Sequence, residues 1–238
     1  ANCIRYQGAK VVFADVEPDT LNIDPEKIKE CLTPKTKAII AVDFTGHPAN
    51  LEAIGEIAKN NNLVFIEDAA HALGTTYKNK KVGSIADMTT FSLHPVKHIT
   101  TGEGGLVVTN DSDFAERLRR FRNHGISRDH HQRQEQGTWS YDMEEIGYNY
   151  RLTELSSVLG ISQLQKLPIL LERRREIAAR YNVAFSKISQ LTPPAAHPDC
   201  ESAWHLYVIK LNLESLNKNR DEIFQALRAE NIGVNVHY

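Results

Sequence analysis

The sequence predicts an α/β fold built on a mostly parallel sheet, followed by a small α+β domain. Three observations carry this expectation. Strand-like and helix-like segments alternate up to about Thr109. The runs at Ala38–Val42 and residues 63–66 are continuously apolar, as strands buried on both faces are. From Asp111 the character turns helical.

Taken in order, residues 11–14 read as a first strand, and Asp24 then offers an N-cap with Pro25 at the first helical position. Ala38–Val42 is a buried strand. Residues 43–50 form a loop by their Gly46 and Pro48, leading into a helix over residues 51–59. Residues 63–66 make the next strand, with Glu67 and Asp68 where it ends, and residues 88–93 and 105–109 complete the set. Beyond Asp111, Phe114, Leu118 and Phe121 share one helical face. Residues 126–147 are polar and aperiodic, a long loop. A helix over residues 152–166 should turn Leu155, Val158, Leu159 and Leu164 inward, and Pro168 should start a second helix reaching about Ile188. After the proline-rich stretch 191–198, a strand (204–211), a helix (221–230) and a strand (234–237) outline the small domain. The division expected is a large domain over 1–167, and a connecting helix with the small domain over 168–238. The start at Ala1 and the strand-like end with no turn after it suggest a piece cut at both ends.

Composition narrows the function. Lys and Arg total 28 against 30 for Asp and Glu, a net charge of −2, with the basic residues scattered, which argues against nucleic acid or an acidic membrane as the main partner. A small-molecule substrate is the better default. Three widely spaced cysteines without a CxxC suit reduced thiols in a cytoplasmic enzyme, and no apolar run approaches the roughly 20 residues that span a bilayer.

In open α/β sheets ligands bind beyond the carboxyl ends of strands. Three segments meet that condition: Glu67-Asp68-Ala-Ala-His71, Phe91-Ser92-Leu-His94-Pro-Val-Lys97, and Thr100-Thr-Gly102-Glu-Gly104-Gly105. A partly desolvated Lys97 would have a lowered pKa and form an imine with an aldehyde readily. A buried Asp68 facing a pyridine ring would keep the ring nitrogen protonated and turn such a cofactor into an electron sink. Ser92 and the glycine-rich loop offer phosphate donors and room for backbone approach. Surface charges of no chemical role remain the alternative at this point.

These segments, with Gly147-Tyr-Asn149-Tyr-Arg151, resemble in order and spacing the sugar-nucleotide aminotransferases of the DegT/StrS family. The likeness extends to residues 43–50, Asn123-His-Gly125, Trp204-His-Leu-Tyr207 and Val234-Asn-Val-His-Tyr238, and the lysine motif looks closest to the pseudaminic acid branch. The resemblance implies a three-layer, aspartate aminotransferase-like fold type I and pyridoxal 5'-phosphate as cofactor. Lys97 would be the Schiff-base lysine, Asp68 the partner of the pyridine nitrogen, Ser92 a phosphate ligand and His71 a neighbour of the cofactor. Asn149 would reach the phosphate of a second subunit, implying a homodimer with shared sites. His94, His205, Tyr207 and His237 would lie near the substrate. The implied reaction passes an amino group from L-glutamate to a 4-keto sugar linked to a nucleotide, UDP by the pseudaminate likeness. The family's Gly-Thr phosphate motif and ring-stacking residue precede the point where this chain begins, so the chain alone is expected to bind cofactor poorly.

Other signals are weaker. Asp129-His130-His131 matches a metal phosphoesterase motif in three letters only, so no metal site is assigned. The charged run at residues 172–176 reads as a solvated helix face that sugar phosphates could use, and Trp139 as a loop anchor or a cover for a sugar or base. A sugar dehydratase of the same fold would replace the Schiff-base lysine with histidine, so Lys97 disfavours it. A non-catalytic binding remnant is disfavoured by the intact Asp68 and Lys97.

Overall fold

The computed structural model describes residues 1–126, 134, 135, 137, 139–195 and 197–237. Helix α1 (Asn2–Tyr6) is followed by α2 (Pro25–Cys31), where Asp24 accepts from the Glu26 N–H and Pro25 stands at the start, as the sequence predicts. Strand β1 (Ala38–Val42) leads through a 3₁₀ turn (Phe44–Gly46) into α3 (Leu51–Asn60). Asn50 caps α3 by accepting from the Ala53 N–H. The helix turns Leu51, Ile54, Ile57 and Ala58 onto the sheet, where they join Ile39 and Phe65 in the main core. Full burial of a side chain such as Leu51 or Ile54 contributes roughly 1.5–3 kcal/mol each.

Strand β2 (Val64–Asp68) pairs parallel with β1, and after the short antiparallel pair β3 (Thr76–Tyr77) and β4 (Lys80–Lys81), β5 (Met88–Ser92) pairs parallel with β2. Strand β6 (Gly105–Val108) closes this sheet antiparallel to β5, giving the order β1-β2-β5-β6. The register places Asp68 between Val42 of β1 and Thr90 of β5, at the carboxyl ends of three parallel strands. Helix α4 (Ser112–Phe121) begins on Asp111, which accepts from the Asp113 and Phe114 N–H groups.

Four expectations are corrected. Residues 11–14 form no strand; the backbone there makes only an isolated bridge from Val16 to Ile23. The two helices expected on either side of Pro168 are one helix, α5 (Glu154–Phe185), which runs through the expected 167/168 division. An interior proline costs about 3 kcal/mol. Tertiary packing outweighs it, because Leu167 and Leu171 flank Pro168 and form a second core cluster with Leu93, Ile99 and Ala203. Leu155, Val158, Leu159 and Leu164 are not inward but exposed, on a face of α5 that the described residues leave uncovered. The segments 204–211 and 234–237 are largely irregular. Only β9 (Lys210–Leu211) remains, paired with β7 (Leu191–Thr192), while β8 (Cys200–Glu201) adds to β3 and α6 (Arg220–Ala229) follows. Ala203 and Leu206 spend their backbone donors on the turn after β1 instead, Ala203 N–H on Gly46 O and Leu206 N–H on Thr45 O. No described helix is long and apolar enough to cross a membrane.

Candidate active site

The site is assembled where β1, β2 and β5 end. Side chains alternate along β2, so Glu67 and Asp68 point to opposite faces of the sheet. Asp68 Oδ1 accepts from the Ala70 N–H at 3.1 Å, which fixes the carboxylate at the turn leading to His71.

Lys97 comes from the loop between β5 and β6. That loop is tied on itself: Lys97 N–H donates to His94 O at 2.9 Å, Thr101 N–H and Thr100 Oγ1 both donate to Leu93 O at 3.0 Å, and Leu93 N–H donates to Gly104 O at 2.9 Å. Gly104 is required there, because a Cβ would stand 2.2 Å from Thr101 Oγ1. Burial holds the Lys97 ammonium below the ordinary lysine value, and the Asp68 carboxylate offsets part of that.

Around this lysine the fold gathers imidazoles. The His71 ring lies 4.4 Å from that of His205 and 6.3 Å from those of Phe44 and His237, and His98 stands 5.3 Å from His205. Phe44 closes the group at 5.1 Å from His237. Burial first, then the positive charge of Lys97 and neighbouring imidazoles, pushes His71 down to about 4 and His205 down to about 3. Burial first and Arg174 next hold His98 near 4. At neutral pH these three rings are uncharged. Their Nδ1 atoms are buried and without a hydrogen-bond partner, while His98 Nε2 faces Ala203 O at 3.1 Å. Buried nitrogens without a protein partner beside an amine leave hydrogen-bonding capacity for a polar ligand.

Gly46 joins the parts. Its carbonyl accepts from Thr75 Oγ1 at 2.8 Å, Ser202 Oγ at 2.9 Å and Ala203 N–H at 3.2 Å, which ties the β1 turn to the residue preceding β3 and to the segment carrying His205. Arg174 completes this from α5, its guanidinium donating to Trp204 O at 3.0 Å and His205 O at 3.3 Å.

The structure thus brings together Lys97, Asp68, His71, His205 and His237. Ser92 and His94 stand at the start of the lysine loop, where Ser92 Oγ accepts from the His94 N–H at 3.4 Å and His94 Nε2 lies 3.7 Å from Glu103. Two expected residues lie elsewhere. Tyr207 donates through its hydroxyl to Asn182 Oδ1 at 2.6 Å, packed among Tyr181, Phe185 and Trp204. Asn149 is exposed on a segment pinned to the end of α4, where Tyr148 N–H donates to Phe121 O and Tyr150 N–H to Arg122 O. The charged run at 172–176 is not simply a solvated face, since Arg174 and Arg175 both hold backbone carbonyls of residues 202–205. Trp139 is 89% exposed rather than packed as a loop anchor. Asp129, His130, His131 and Tyr238 lie outside the described residues.

Sequence reasoning missed Phe44, His98 and Arg174. The first two directly follow residues that it weighed, Asp43 of the loop and Lys97 of the motif, but only folding shows that they face the same space. Arg174 sat inside a run of like residues with nothing to set it apart.

The chain is 42% identical, over 241 residues covering all of it, to the UDP-4-amino-4,6-dideoxy-N-acetyl-beta-L-altrosamine transaminase of Campylobacter jejuni. Helicobacter pylori PseC, an aminotransferase involved in the biosynthesis of pseudoaminic acid, superposes with a TM-score of 0.90 at 37% identity, over all of this chain and 62% of that one. Spr1654 from Streptococcus pneumoniae in its PLP-form gives 0.87 at 32% identity, over all of this chain and 63% of that one. The chain spans 62% of the length of the curated relatives it matches. With its family match running over residues 1–238, the chain belongs to the DegT/DnrJ/EryC1/StrS aminotransferase family.

Proposed function

We propose that the protein transfers an amino group from L-glutamate to the 4-keto carbon of a nucleotide-linked 4-keto-6-deoxy sugar, with pyridoxal phosphate as cofactor. The observation that carries this reading is that Lys97, in the loop after β5, feels the charge of Asp68 at the end of the adjacent β2 while burial lowers the lysine's pKa. The donor set fits the cofactor: an amine for its aldehyde, a carboxylate for its ring nitrogen, and buried imidazole nitrogens awaiting partners. Bound there, pyridoxal phosphate supplies the electron sink that stabilises negative charge on the carbon beside the transferring nitrogen.

The chain's own residues then divide the work. Lys97 would hold the cofactor through its Nζ, and its amine, when free, would serve as the general base and acid that moves the proton at the substrate carbon. Its lowered pKa suits this, because more of the amine is neutral near pH 7. Asp68 would keep a proton on the ring nitrogen. Ser92 would bind the phosphate, and His71, uncharged at neutral pH, would not oppose protonation of the ring. His205 and His237 are placed to meet the sugar or the donor's carboxylate. His94 is assigned to the rim of the substrate path.

We assign the partner role of Asn149 to a homodimer. Its exposure and the apolar half of α5, where Leu155 is 86% exposed beside Val158, Ile161 and Leu164, support a second copy covering this face. The acceptor class rests on the Campylobacter and Helicobacter relatives, which favour a UDP-linked N-acetylhexosamine of the pseudaminate route. The test is an assay with glutamate against UDP-, GDP- and dTDP-linked keto sugars. Amination of the UDP sugar is the expected result; turnover of only the other two would overturn the acceptor assignment, and turnover of none would overturn the function.

A further inference from the structure

On the face of the sheet opposite Lys97 lie two carboxylic acids that this mechanism does not use. Asp43, just beyond β1, and Glu67, in β2, are both 0% exposed. Each has one oxygen well served. Asp43 Oδ1 accepts from the Ala49 N–H at 3.0 Å, and Glu67 Oε2 accepts from Thr89 Oγ1 at 2.6 Å and the Gly83 N–H at 3.2 Å. The other oxygens, Asp43 Oδ2 and Glu67 Oε1, are buried and receive no donor, although the two side chains are within hydrogen-bonding reach of each other.

Two ionised carboxylates cannot face each other in such a place without a proton between them. The neighbouring charge makes this more severe, since Asp68 also acts on Asp43. Burial pushes both acids upward, Asp43 further. The side with more donors keeps the charge: Glu67 has two and Asp43 one.

We infer that Asp43 and Glu67 share one proton, with Asp43 Oδ2–H donating to Glu67 Oε1, and that this acid–carboxylate bond makes both of them positioning residues for Asp68. The link to Asp68 is short. Asp43 N–H donates to Asp68 O at 3.0 Å, and Glu67 immediately precedes Asp68, so the bond braces the backbone on both sides of that carboxylate. The shared proton also removes one negative charge from behind Asp68. The positioning role rests on the function proposed above; the shared proton does not.

The test combines infrared spectroscopy with amide substitutions in the whole protein. At neutral pH the parent should show a carboxylic acid C=O band that shifts in D2O and is lost in Asp43→Asn. The introduced amide can still donate to Glu67, so Asp43→Asn should keep its folding equilibrium within about fivefold of the parent. Glu67→Gln reverses the donor and should also fold. The double variant sets two amide donors against each other, and should lose at least about tenfold beyond the sum of the two single effects. Absence of the band in the parent, or additive effects in the cycle, would overturn the shared proton even if transamination stands. For the positioning role, Asp43→Ala should weaken pyridoxal phosphate uptake and shift its pH profile, while Asp43→Asn restores both. Equal uptake and profile in the two variants would refute that role while leaving the proton intact.

Discussion

Replacing Gly46 by alanine should damage stability and site together. Gly46 has a φ of +100°, in the left-handed region, and a Cβ there would stand 2.8 Å from His71 O, 2.8 Å from Trp204 N and 3.0 Å from His205 N. These are backbone atoms held by other bonds, so they cannot yield as a flexible side chain would. The backbone conformation costs about 1–2 kcal/mol, and forcing an extra carbon into packed structure about 1–3 kcal/mol. The sum is roughly 2–5 kcal/mol, with the carbonyl that accepts from Thr75, Ser202 and Ala203 pushed off its donors. Gly55, within α3, is the control, because a Cβ there meets nothing within 4 Å. Gly55→Ala should stabilise by about 0.5–1 kcal/mol through helix propensity. Urea unfolding measures both, as midpoint changes at unchanged slope. A loss below about 1 kcal/mol for Gly46→Ala, with cofactor uptake intact, would refute the claim that this close approach builds the site.

Acid should weaken the fold through buried imidazoles. His47 and His98, each 4% exposed, are held near 4 against 6.5 in the unfolded chain. As pH falls from 6.5 toward 4 the unfolded chain takes up protons that the folded one refuses, so the stability present above 6.5 drains away, with a ceiling of about 3 kcal/mol per histidine. Urea midpoints that stay flat from pH 7 to pH 4 would contradict this. Sedimentation should show a dimer that Leu155→Glu with Val158→Glu shifts toward monomer; a parent protein that stays monomeric at all concentrations would remove the proposed interface. Asp68→Asn should leave the cofactor attached to Lys97 but slow transamination on the order of a hundredfold, the scale of losing one well-placed electrostatic partner. Unchanged turnover would show that the ring nitrogen needs no carboxylate here.

Much of the parallel sheet was legible because its strands are short runs of uninterrupted apolar residues, although in β1 only Ile39 and Ala41 are buried and Ala38 and Val42 are exposed. Residues 38–42 and 63–66 show such runs, and local capping chemistry marked Asp24. The strand-end rule located Asp68 and Lys97 without any knowledge of side-chain contacts. What stayed hidden depends on contacts between distant segments. Pro168 reads as a helix start until the burial of Leu167 and Leu171 is known. The alternation of Trp204, Leu206 and Val208 reads as a strand, yet this segment hangs on Gly46 and Thr45 across the fold through Ala203 and Leu206. The same periodicity that marks a core helix marks the exposed face of α5, because a sequence pattern does not say whether the covering surface comes from the same chain. Four histidines around one lysine were beyond reach for the same reason: His71, His98, His205 and His237 meet only after folding.

The central claim is that Lys97 forms the covalent link to pyridoxal phosphate. Borohydride reduction of the cofactor-loaded protein in its natural length, followed by peptide mapping, tests it most directly. The account predicts one stable phosphopyridoxyl adduct, on Lys97, lost in Lys97→Ala. An adduct on any other lysine, or no adduct at all, would contradict it.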